Sequence, residues 1–201
     1  MILQPDSSNL SDYLTEIPGI IEFSTPGVQA TIHTITQKAS TDYDRARLAF
    51  EYARDEIRHS FDTKSSRITI SAEDAIIHRD GICFAKSHVL ASVLRGMEIP
   101  AGFCYQRVLR KGTVESGHAL HGLNAIYLPE TGWFRVDPRG NKPGVNSQFS
   151  TETEHLAYPI RPEYGEVDYP QIFARPLQSV IEAMRDSANC DELFFNRPDH
   201  V

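Results

Sequence analysis

The chain has 201 residues, 40% hydrophobic and 23% charged, with a formal net charge of -7 and a pI near 5.6. Those values suit one globular domain with a sizeable core. They argue against nucleic acid as the main partner, since neutralising phosphates needs a basic face, and they give no reason to bind an anionic membrane.

The opening MILQPDSSNLSDY has no basic stretch and no long apolar run, so no secretory signal or membrane span is expected. Cys83, Cys104 and Cys190 form no CxxC pair. That spacing argues against a disulfide framework and for a reducing cytoplasm.

In chain order, residues 1–18 are polar and expected to be loosely ordered, and Ile20 to Phe23 reads as a short strand. Residues 42–59 predict a helix, because Tyr43, Ala46, Phe50, Ala53 and Ile57 recur at three- and four-residue steps. Thr41 or Asp42 caps it. The stretch SSRITIS shows β-branched alternation, and a short helix follows over 71–77 with Ser71 and Asp74 as a capping box. Arg79-Asp80-Gly81 is a turn signal.

A helix is then predicted from Cys83, with an apolar stripe of Ala85, Val89, Leu90, Val93 and Leu94. Gly96 and the Ile99-Pro100 step end it. Strands are predicted over 101–109, 119–128 and 133–137, the last two joined as a hairpin through Pro129-Glu130-Thr131-Gly132. From Pro138 the chain is rich in Pro, Gly and Asn, with a helix expected over 177–187 and a polar tail. The expectation is one domain over 1–201, with a core at about 42–140 and a C-terminal segment wrapping it.

The chemistry concentrates in the middle. A cysteine at a helix start meets unpaired N–H groups and the positive end of the dipole, which favour the thiolate. The same amides can hold an oxyanion. Gly81 before Cys83 would allow a tight turn and a close approach by substrate backbone. A cysteine nucleophile needs a base and an orienting group, and GHALHGLNAIYLPETGWFRVDPRG offers His118, His121 and Asp137. His121 and Asp137 share a face only if the hairpin register pairs residue 137 with residue 123, which requires an odd loop or a bulge at the turn. Cys104 and Cys190 lack such a setting and read as structural.

Two segments together resemble the transglutaminase-like superfamily. SAEDAIIHRDGICFAKSHVLASVLRGMEIPAGFCYQRV is similar to its nucleophile motif, and HGLNAIYLPETGWFRVDPRG to its histidine–aspartate motif, over about residues 48–140. The resemblance implies a papain-like α+β fold, with the nucleophile helix packed on an antiparallel sheet, in a small bacterial-type member. It implies a triad of Cys83, His121 and Asp137 and no cofactor. His118, Asn124 and Arg139 are the candidate substrate-binding residues, Arg139 for a substrate carboxylate. Leu123 and Ala125 stand where the family often carries Trp and Glu.

The expected function is cysteine-dependent acyl transfer on a peptide or protein amide, with hydrolysis favoured over transamidation. The net negative charge favours a basic or neutral acceptor. The second oxyanion donor is sought between His59 and Asp62. Two other readings compete: a binding domain of the same fold without turnover, and a zinc site using His118-x-x-His121, which lacks the usual cysteine half-site.

Overall fold

The helix headed by Cys83 organises the structure, and its sequence explains why. In the computed structural model, which describes residues 1–201, α5 (Cys83–Gly96) is buried at every position from Cys83 to Arg95. The apolar stripe is therefore only part of its buried surface. The polar positions are accommodated one by one, as buried polar groups must be. Lys86 Nζ donates to the carbonyls of Arg54 and Ile57, closing the end of α2 (Asp42–Asp55). His88 Nδ1 donates to the Ile70 carbonyl at 2.7 Å. Arg95 donates to the carbonyls of Ala101, Thr15 and Ala174, tying the helix end to three distant stretches of chain.

One layer against α5 is helical: α1 (Pro26–Lys38), α2 and α4 (Ala72–His78). Thr41 caps α2 by accepting from the Asp44 amide, and Ser71 caps α4 by accepting from the Asp74 amide. Between α2 and α4 lie β2 (Arg58–His59) and the single turn α3 (Ser60–Thr63), and β3 (Asp80–Gly81) leads into α5. Strands β2 and β3 pair in parallel, opposing His59 to Gly81.

The other layer is a four-stranded antiparallel sheet in the order β6-β5-β4-β7, formed by β4 (Ala101–Leu109), β5 (His118–Leu128), β6 (Gly132–Val136) and β7 (Val167–Asp168). Leu120, Ile126 and Leu128 of β5 join the main core with α5, whereas Leu123 and Ala125 face a smaller cluster with Tyr13, Cys104 and Ile172. After the sheet come β8 (Gln171–Ile172), α6 (Gln178–Asp186) and α7 (Cys190–Asn196).

Three expectations give way, and the alternating stretch SSRITIS joins no sheet. Residues 1–18 are not loose: β1 (Gln4–Pro5) pairs with β8, and a 3-10 turn over Leu10–Leu14 buries Tyr13, whose hydroxyl donates to Asp6. Ile20 to Phe23 forms no strand, only an Ile17–Ile21 bridge. SSRITIS is not a ladder strand, because its backbone serves side chains and termini instead: Ile70 accepts from His88 and Ser66 from the Cys190 amide. The polar tail contains α7, capped by Asn189 and buried at Cys190 and Leu193. Helix α1 carries only a weak sequence signal, since six of its residues are β-branched (Val28, Thr31, Ile32, Thr34, Ile35, Thr36). Packing of Val28, Ile32 and Ile35 overrides that propensity. No helix is long and apolar enough to cross a membrane.

Candidate active site

Hairpin geometry places the base. Strand β5 pairs with β6 in the register Leu128–Gly132 through Asn124–Val136, leaving Pro129, Glu130 and Thr131 as an odd loop. Gly132 closes it at φ +77, a conformation that glycine adopts without strain. Continued by one residue, this register sets Asp137 opposite Leu123 and therefore on the face of His121. The contact is made: His121 Nε2 donates to Asp137 Oδ2 at 2.7 Å, with both side chains buried. The remaining ring nitrogen, Nδ1, is then the one free to exchange a proton with a thiol.

Asp137 is held on three sides. Besides His121 it accepts from the amides of Arg139 at 3.0 Å and Ala157 at 2.9 Å. Burial pushes its carboxyl up, but the charge and hydrogen bond of His121 and the two amides hold it below the usual carboxylate value. Burial likewise pushes His121 down, and Asp137 overcomes this to raise the imidazole well above its ordinary value. The Tyr158 ring packs perpendicular to the imidazole, with centroids 4.9 Å apart.

Cys83 is the first residue of α5, after Ile82, and no side chain caps that N-terminus. Its leading amides keep their hydrogen-bonding capacity. Burial raises the thiol, but the neighbouring His121, the Arg197 charge and the Gly122 amide outweigh it and lower the pKa. The start of α5 can approach the strand closely because residue 122 has no side chain. A Cβ there would stand 2.6 Å from the Phe84 ring. By contrast, burial dominates at Cys104 and Cys190, whose thiols are pushed up to about 12 and about 11.

Cys83 and His121 open onto a cleft of about 570 Å³ that His59, Asp62, Arg139 and Arg197 also line. Arg139 thus reaches the cleft, but its guanidinium is engaged by Asp62, with Nη2 to Oδ1 at 2.9 Å, and by the Tyr158 hydroxyl at 2.7 Å. His118 and Asn124 do not line it. His118 donates from Nε2 to the Tyr164 carbonyl. Asn124 is fully buried and donates to the carbonyls of Ser87 and Gly102, so it joins α5 to the sheet. Gly81 makes room for packing rather than for substrate, since a Cβ there would meet Ala85 at 2.9 Å and Thr69 at 3.1 Å. The left-handed residue of that turn is Arg79, at φ +49. Sequence reasoning missed Ala157, Tyr158 and Arg197, which lie in irregular chain or at a helix end where no periodicity marks them. No group of three His, Cys, Asp or Glu side chains converges as a metal cage.

A cysteine heading a buried helix, against a sheet that carries a histidine–aspartate pair, places the chain in the α+β class built on a papain-like core. The sequence model of the transglutaminase-like superfamily matches residues 29–138, more than half of the chain. The chain belongs to the transglutaminase-like superfamily, a superfamily of cysteine-dependent enzymes. Among solved structures, a candidate cysteine protease from Cytophaga hutchinsonii is similar, with TM-score 0.52, 16% identity, and 66% of this chain and 43% of that one covered. The periplasmic domain of TgpA from Pseudomonas aeruginosa gives TM-score 0.46 and 19% identity, covering 63% of this chain and 45% of that one. A TGase structure gives 0.46 and 13%, covering 73% and 40%. The chain thus spans less than half the length of each of these proteins. No curated protein matches the sequence.

Proposed function

We propose that this protein is a cysteine-dependent acyl-transfer enzyme that opens an amide or peptide bond, with water as the usual acceptor. The observation that carries the reading is the buried 2.7 Å bond from His121 to Asp137 beside a thiol lowered by that same histidine. In this reading Cys83 attacks the carbonyl carbon as the thiolate, and the carbonyl oxygen becomes an oxyanion held by the free amides of the α5 N-terminus. Collapse breaks the C–N bond, and the His121 imidazolium gives its proton to the departing amine. A thioester remains on Cys83. Neutral His121 then takes a proton from water, the hydroxide adds to the thioester, and the acid leaves as the thiolate re-forms.

His59 is the second oxyanion donor in this scheme. His59 lines the cleft, its backbone pairs with that of Gly81, and its Nδ1 is buried without a partner. Burial and the Arg139 charge hold it well below the ordinary imidazole value, hence neutral. A neutral ring keeps its proton more favourably on the cleft-side nitrogen than on a buried, unpartnered one. Water is the expected acceptor because it is always present and no lysine-binding feature marks the cleft.

The test is alkylation of the full chain by iodoacetamide near neutral pH, read by peptide mass. Cys83 is expected to label faster than a free thiol, and Cys83→Ala to remove that label. An unreactive Cys83, or labelling unchanged in the variant, overturns the proposal.

A further inference from the structure

The cleft has the opposite charge to the chain that contains it. The protein carries a net -7, yet six cationic side chains line the cleft (Arg110, Lys111, Arg139, Lys142, Arg161, Arg197) against two carboxylates, Asp62 and Glu166. Those carboxylates are spent: Asp62 pairs with Arg139 and Lys142, and Glu166 with Arg161. Net charge, which favours a basic or neutral acceptor, says nothing of the cleft, where the local charge is positive.

Of the three unpaired cations, Arg197 is the built one. Its residue is only 9% exposed. Its guanidinium stands beside the edge-to-face pair of Phe61 and Phe194, 5.1 Å from the Phe61 centroid and 4.8 Å from that of Phe194. Nε donates to the Phe194 carbonyl at 3.3 Å, and this is its only side-chain hydrogen bond, which leaves both terminal nitrogens without a protein partner. No carboxylate faces it, and the charges that act on it are those of Cys83, Arg110 and Tyr158. A largely buried cation with no carboxylate partner, and only the reactive thiolate as an opposite charge, is costly. Cation–π contact with both rings offsets part of that cost and restricts the guanidinium, whose natural complement is a carboxylate.

We infer that Arg197 binds a carboxylate carried by the substrate close to the scissile carbonyl, so that the enzyme acts on acidic amides rather than on basic or neutral ones. Arg110 and Lys111 extend the same positive field at the rim. This assignment rests on the catalytic reading above and adds to it a substrate class and a selecting residue. Arg197 lies outside residues 29–138, so the selectivity comes from this chain's own C-terminal segment. The carboxylate has two possible sources, an acidic side chain or a free peptide C-terminus.

The experiment compares Cys83 alkylation by iodoacetate and by iodoacetamide in the full chain, each rate divided by that of glutathione under the same conditions. Both reagents meet the same thiolate, so their ratio is independent of how much of it is present. Wild type is expected to favour iodoacetate by about tenfold or more, Arg197→Gln to lose most of that preference, and Arg197→Lys to keep part of it. A second arm needs no variant: protection of wild-type Cys83 from iodoacetamide. N-acetylisoglutamine, with only a side-chain carboxylate, and N-acetylglutamine, with only an α-carboxylate, are compared with the neutral N-acetylglutamine amide. Protection by either acid above the neutral amide supports the inference, and which acid protects names the source. Fast alkylation with no preference for the anion, or equal protection by all three, overturns the inference and leaves catalysis standing. A preference that survives in Arg197→Gln while the pH profile of alkylation moves also overturns it, because Arg197 would then serve only the thiolate. Alkylation of Cys83 no faster than a free thiol overturns both readings.

Discussion

Residues 29–138 and residues 139–201 build the site by different means. The first region is regular. Helix α5 sets the thiol, β5 sets the imidazole, and a three-residue loop fixes the register that brings Asp137 alongside. The second region has only short elements between residues 162 and 196, yet it supplies the Ala157 amide on Asp137, the Tyr158 ring on His121 and the Arg197 guanidinium in the cleft of Cys83. The difference teaches a division of labour. Chemistry that must be placed within fractions of an ångström rides on helix and strand, while covering and selecting groups come from loops and ends.

The sharpest way to test that division is Asp137→Asn, which keeps the shape of the regular region and removes its charge. Alkylation and turnover at neutral pH are expected to fall on the order of 10³-fold. Stability should change sign-consistently with pH. Because His121 is raised in the folded state, its contribution is fully present below the unfolded imidazole value of about 6.5 and is lost as pH rises through the folded one. Because Asp137 is lowered, its contribution is present above about 3.9 and is lost as pH falls through the folded value. Urea titrations across pH should show both slopes in wild type and neither in the variant.

Arg95→Ala breaks the joint between the two regions, since Arg95 binds the carbonyls of Thr15, Ala101 and Ala174 at once. Removing it strands buried acceptors, and a loss of about 3 kcal/mol in chemical denaturation is expected. Gly122→Ala attacks the regular region at its closest approach. The added methyl must displace the Phe84 ring or the strand, at about 1–3 kcal/mol. Cys83 labelling should slow along with that loss, because the start of α5 then stands off from the strand. A variant equally stable but slow to label would assign Gly122 to positioning alone. The smallest effect is expected in the irregular region. Tyr158→Phe removes one hydrogen bond to Arg139 and keeps the ring against His121, so about 1 kcal/mol of stability is lost with labelling rates nearly unchanged.

Much of the regular region was legible before any coordinates. The strand over 101–109 matches β4 residue for residue, and the helix start at Cys83 and the hairpin at 129–132 fall where the pattern places them. Periodicity reports which residues are buried, and burial there follows secondary structure. The condition that residue 137 face residue 123 was also statable, because side chains on a strand alternate and a loop length fixes the parity. What failed to read out was long-range. Helix α1 forms against propensity because α5 and α4 cover it, and Tyr13 is buried by a strand pairing with residues 171–172.

The amino-acid sequence alone determined that a thiol would open a helix and that an imidazole and a carboxylate would lie one hairpin apart, because those are local consequences of 3.6- and 2-residue repeats and of a turn. Only the tertiary structure decided the rest. It neutralised Arg139 with Asp62, turned Asn124 inward, and carried Arg197 across 114 positions of chain into the cleft of Cys83 without a carboxylate partner. Electrostatic pairing depends on which charges meet after folding, and no repeat in a sequence encodes which ones are left unmatched.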